Sequence, residues 1–192
     1  MRTENTRART RRYFSLLFAA IGGGALAGAL SHGFFPETTL GGVILWRVTM
    51  LLIGVAAAAC FILAMDLLVG AARGVIALAA LAFVAYAAVV LFVNSRFVVA
   101  LYFYVPASVL LLVAFLGLVR TAPRTGAFGA AGMLLTFAAA WVQSAGIALH
   151  PRLFDHNATY HLVQAFGLLL VFLAGTKWLR ASAQITATRY NS

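Results

Sequence analysis

Charged side chains are scarce in this sequence, and acids are scarcer still. Only 9% of the 192 residues are charged, and the four acids are Glu4, Glu37, Asp66 and Asp155. Soluble domains carry charge at about a quarter of their positions. With 64% hydrophobic residues and a mean hydropathy of +0.99, the chain lacks the polar surface a soluble protein needs. Cysteine is almost absent: Cys60 stands alone in an apolar run, which excludes an internal disulfide and leaves a small packing residue. No internal repeat and no low-complexity linker divides the chain.

What is abundant is apolar length. Six stretches near the ~20 residues a bilayer core requires run over 14–35, 43–69, 74–93, 97–119, 127–149 and 158–179. The expected fold is all-α, a polytopic bundle of about six transmembrane helices, with short loops making consecutive helices antiparallel neighbours. Residues 1–13 read as a basic cytoplasmic arm, 14–180 as a single transmembrane domain, and 181–192 as a frayed polar tail. The arm resembles the n-region of a signal peptide, but the run after it is span-length and no convincing cleavage site follows. A retained first helix is expected.

The 14 Lys and Arg give a net charge of +10, which on a soluble chain would suggest nucleic acid. Here they cluster at helix ends, so topology explains them better, with affinity for anionic lipid second. A cytoplasmic N-terminus puts Arg2, Arg7, Arg9, Arg11, Arg12, Arg73, Arg120, Arg124, Lys177, Arg180 and Arg189 inside, against Arg47, Arg96 and Arg152 outside. Both termini are therefore expected in the cytoplasm, in a bacterial inner membrane. Membrane lipid is the expected partner and nucleic acid is not.

That orientation collects all four histidines at one end of the bundle. His32 ends the first span, His150 ends the fifth, and His156 and His161 open the sixth. Polar residues lead toward them in stripes: Gly24, Gly28 and His32 four apart, then Thr136, Gln143 and His150 seven apart, then Asn157, His161 and Gln164. Such lines normally face a bundle interior or a cavity. Pro106, near Ser108, Tyr102 and Tyr104, is expected to kink the fourth span.

Neutral imidazoles suit zinc, and three of them with an open position make a catalytic arrangement. The candidate ligands are His32, His156 and His161, with His150 as substitute. His156 and His161 lie ~140° apart on an ideal helix. Asn157 is therefore expected to cap the last helix, leaving His156 in the preceding loop. Asp155 is a candidate for proton transfer or, instead, for capping that helix; Glu37 is either a second orienting acid or a plain loop charge. Arg47, Asn157, Tyr160, Gln143 and Gln164 are candidates for substrate contact or support of the ligands. Asp66 is expected in an ion pair at the opposite end, one heptad before Arg73.

A histidine late in one helix and a pair opening the last helix resembles the CREST membrane hydrolases, which include the alkaline ceramidases and the adiponectin and progestin receptors. The segment His156-Asn-Ala-Thr-Tyr-His161-Leu-Val-Gln164 is similar to their last-helix motif, although the family spacing would put a histidine where Asn157 stands. Gly28 stands at the family's serine position, with Ser31 beside His32. The resemblance implies a zinc-dependent hydrolase of a lipid amide or ester, with Ser31 and Asp155 assisting. The metal would acidify a bound water and polarise the carbonyl. Two other readings remain open: a non-catalytic membrane sensor or accessory protein binding metal or lipid, and a b-type haem protein with His32 and His161 as axial ligands. The last suffers from the lack of any histidine near the opposite face.

Overall fold

The computed structural model describes residues 2–35, 38–70, 73–150 and 153–190, with the side chains of 2–7 and 181–190 outside the description. The described chain is helical, with no β-strand: α1 (Arg2–Phe34), α2 (Leu40–Val69), α3 (Arg73–Phe92), α4 (Phe97–Leu118), α5 (Pro123–Ser144) and α6 (His156–Tyr190). All six are long and apolar enough to cross a membrane, so the chain reads as an integral membrane protein.

Helix ends follow local chemistry. Thr39 caps α2, its Oγ1 accepting the Gly42 N–H at 3.1 Å. Gly70, at φ 72°, ends the same helix. The N-terminal arm and C-terminal tail are helical rather than irregular, because neither 2–13 nor 181–190 contains a glycine or proline to stop a helix. Helix α4 runs unbroken through Pro106.

The chain forms two compact units, Met1–Leu111 and Leu112–Ser192. In the first, α2 is the most buried span. Its Met50 joins Tyr86, Val90 and Ala100 in a core bordered by Trp46, Phe83 and Phe103. The Tyr86 hydroxyl donates to the Met50 carbonyl at 2.7 Å, and its ring stacks on Phe103 at 4.6 Å. Gly54 makes room for that ring. Trp46 donates its indole N–H to the Ser95 carbonyl at 2.8 Å, fixing the α3–α4 turn to α2. Against α2, α1 lays Gly23, Gly24 and Gly28 on Leu52 and Thr49.

In the second unit, α5 and α6 form a tight antiparallel hairpin. Gly126, Gly129, Gly132, Thr136 and Ala139 make the buried face of α5. A methyl group built on Gly132 would lie 2.5 Å from the Gly167 carbonyl oxygen, so the two backbones are in contact there. The last turn of α4 crosses α5 at Gly126 and Gly129, against Leu118 and Phe115. Helix α5 starts four residues before the expected span and ends five short of it. Pro123 occupies its first turn. Gly146, at φ 67°, terminates it in a Schellman motif, with Gly146 N–H bonded to Gln143 O and Ile147 N–H to Val142 O.

Candidate functional site

The loop between α5 and α6 is built around His150 and Thr159. His150 and Phe154 exchange backbone hydrogen bonds of 3.0 and 2.9 Å, closing a short loop. Inside it, the Leu153 N–H donates to His150 Nδ1 at 3.1 Å. The Thr159 hydroxyl accepts from Leu149 N–H at 3.1 Å and donates to the Asp155 carbonyl at 2.8 Å. Thr159 is only 4% exposed, so it bolts the start of the loop to the first turn of α6.

This geometry changes the role expected of His150. Because α5 has already ended, His150 does not continue the Thr136–Gln143 line. Accepting from Leu153 requires the lone pair on Nδ1, so the neutral ring carries its proton on Nε2. Ligation of a metal through Nε2 would need the other tautomer and would set two N–H groups against each other. His150 is a loop-closing residue here.

Helix α6 is capped by Asp155, not Asn157: Asp155 Oδ1 accepts the Ala158 N–H at 2.9 Å. His156 is therefore the first helical residue rather than a loop residue. Two sequence neighbours were both able to cap, and the charged one, which also meets the positive helix end, does so. The consequence is geometric. His156 and His161 both belong to α6, ~140° apart and ~7.5 Å along the axis. A regular helix does not bring them to one ion. His161 also lies ~120° around α6 from Gly167, well off the line that meets α5.

Two expected polar residues do converge. Gln143 Nε2 donates to Asn157 Oδ1 at 2.7 Å, bridging α5 and α6. Tyr160 hydrogen-bonds Gln164 one turn on, and its ring stands 4.7 Å from that of His161. These contacts leave Gln143, Asn157, Tyr160 and Gln164 as a polar rim on the hairpin end.

In the other unit, Ser31 is 2% exposed whereas His32, ~100° further round α1, is exposed. They do not share a face. Below His32 on the same stripe, Thr49 lies against Gly28, and the His32 ring meets Trp46 edge-on at 5.7 Å. Arg47 is exposed on α2. Glu37, Pro151 and Arg152, and the side chains of Arg2, Arg7 and Arg189, lie outside the described residues. Within either unit, among the described residues, no three His, Cys, Asp or Glu side chains stand close enough to hold a metal.

One cluster is legible in the sequence only in part. Asp66, with its side chain 2% exposed, receives both Nε and Nη2 of Arg9 on Oδ1, and the Thr10 hydroxyl on Oδ2. The ion pair expected at this end is formed with Arg9, where the heptad spacing pointed to Arg73, and it ties the start of α1 to the end of α2. The available signal was that Asp66 is the only acid of an apolar span in a chain whose N-terminus is rich in arginine.

A family model matches residues 1–180, covering nearly all of the chain. The chain belongs to DUF6962, a family of unknown function. No curated protein and no solved structure matches it.

Proposed function

We propose that this chain is a non-catalytic integral membrane module, a sensor or accessory protein of a bacterial inner membrane with both termini in the cytoplasm and lipid as its partner. The observation that carries this reading is the use made of the polar residues at the α5–α6 end. His150 Nδ1, Asp155 Oδ1, Asn157 Oδ1, Gln143 Nε2 and the Thr159 hydroxyl all hold the loop or the helix pair together. A hydrolytic centre needs an imidazole or carboxylate positioned to move a proton. These groups are spent on structure. Purified protein in vesicles containing ceramide and glycerophospholipid, with and without added zinc, is expected to release no fatty acid above the protein-free blank. Zinc-stimulated release that disappears in His161→Ala sinks the proposal.

A second reading, a zinc-dependent hydrolase of a lipid amide or ester, is favoured by a different observation. His32, His156 and His161 are exposed and make no hydrogen bond to the described residues, unlike His150. Their nitrogens are the ones left for a metal, and Asp155 adjoins His156. This reading requires the first turn of α6 to unwind so that His156 and His161 can face one ion. It expects zinc bound in one-to-one ratio and fatty-acid release in the same assay.

A further inference from the structure

The opposite end of the α5–α6 hairpin has a different character. Its described cations are Arg120 in the α4–α5 turn, Arg124 in the first turn of α5, and Lys177 and Arg180 on α6, all exposed. The only acid of Leu112–Ser192 is Asp155, and it caps the far end of α6. That is 22 residues from Lys177, or ~33 Å along the helix. Four cations thus gather at one end, with the unit's one acidic side chain at the other.

The cluster also has local shape. Lys177 leans back along the hairpin so that its Nζ stands 5.4 Å from the centre of the Phe128 ring. Phe128 is one turn beyond Arg124, and Arg180 is one turn beyond Lys177, so each helix places a second cation within a turn of that contact. Helix α5 begins without a side-chain cap and without an acid in its first turn. Its leading amides therefore add partial positive charge to the same place.

Depth selects the anion. The Gln143–Asn157 pair marks one polar edge of the hairpin, and Lys177 lies 20 residues along α6 from Asn157. That separation, ~30 Å, equals the hydrocarbon thickness of a bilayer. Lys177 stands at the second edge, and Arg180 one turn into the headgroup layer, with Trp178 between them as an interfacial aromatic. We infer that Arg120, Arg124, Lys177 and Arg180 bind the phosphate of an anionic glycerophospholipid headgroup, with Phe128 orienting Lys177 toward it. A zwitterionic headgroup brings its own cation and fits this cluster poorly. The inference goes beyond the proposed function, since it concerns the other end of the hairpin and stands whichever reading of the His161 end holds.

The test uses the full chain with Trp46→Phe and Trp141→Phe, so that Trp178 alone fluoresces. It is reconstituted in mixed phosphatidylglycerol–phosphatidylcholine nanodiscs in which one lipid or the other is brominated. At equal bromolipid fraction, brominated phosphatidylglycerol is expected to quench Trp178 severalfold more strongly. Lys177→Gln with Arg180→Gln is expected to lower the ratio severalfold without abolishing it, since each cation near an anionic surface contributes roughly fivefold and Arg120 and Arg124 remain. Lys177→Arg with Arg180→Lys should keep most of the preference. Phe128→Leu should reduce it with every charge in place. Equal quenching in the parent protein overturns the inference, as does a preference undiminished in Lys177→Gln/Arg180→Gln. Loss of the preference in millimolar inorganic phosphate overturns it in favour of a free-phosphate site.

Discussion

The α1–α2 and α5–α6 hairpins both set glycine-rich helix faces against a partner, but they use the glycines differently. On α1, a methyl group at Gly24 would lie 3.5 Å from the Leu52 side chain, an ordinary contact. On α5, a methyl group at Gly132 would meet the Gly167 carbonyl oxygen at 2.5 Å and the Val171 amide at 2.8 Å. The first glycines face side chains that have room to shift, and the second face backbone that does not. The helix ends are fastened differently too. Among the described residues, the α1–α2 pair carries a half-buried ion pair, Arg9–Asp66. The α5–α6 pair carries a neutral bridge, Gln143–Asn157, and a hydrogen-bonded loop. A glycine in a membrane helix is therefore strict only where it meets another backbone.

The largest expected effect comes from the strict side of that contrast. Gly132→Ala or Gly167→Ala should destabilise the protein by about 3 kcal/mol, the upper part of the overpacking range, read as a lower midpoint in an SDS unfolding titration. A loss no greater than that of an α1 glycine would erase the difference between the hairpins. Next, Asp66→Ala should cost about 2 kcal/mol by stranding Arg9, less than a fully buried pair because Arg9 is 26% exposed. His150→Ala should cost about 1 kcal/mol through the lost Leu153 bond, whereas His161→Ala should leave the midpoint unchanged. The reverse order would mean that the loop is not what His150 serves. Smallest of all, Gly24→Ala should be neutral or stabilising by less than about 1 kcal/mol, because it adds helix propensity without a clash.

Much of the fold was legible in the sequence, since six apolar runs of span length specify six helices in order. The ends were less so. The run 127–149 reads as one span because Ile147, Ala148 and Leu149 stay apolar beyond the end of α5 at Ser144. In a membrane protein hydropathy continues past a helix end, and Gly146 was the better stop signal. At the site, the Gln143 and Asn157 stripes pointed to residues that do meet. The cap fell two residues earlier than expected, and that shift put His156 and His161 on one helix. The Arg9–Asp66 pair spans 57 residues, a separation that spacing along a helix cannot reveal. Thr159 was missed because a threonine near a helix start announces no role until the loop folding back onto it is seen.

The histidine-rich end of the α5–α6 hairpin is either a structural cap or a metal centre. The direct measurement is zinc per chain by elemental analysis of detergent-purified protein, with His32→Ala and His161→Ala alongside. A structural cap predicts zinc well below one per chain and the same in all three proteins. One zinc per chain, lost in both variants, would contradict it.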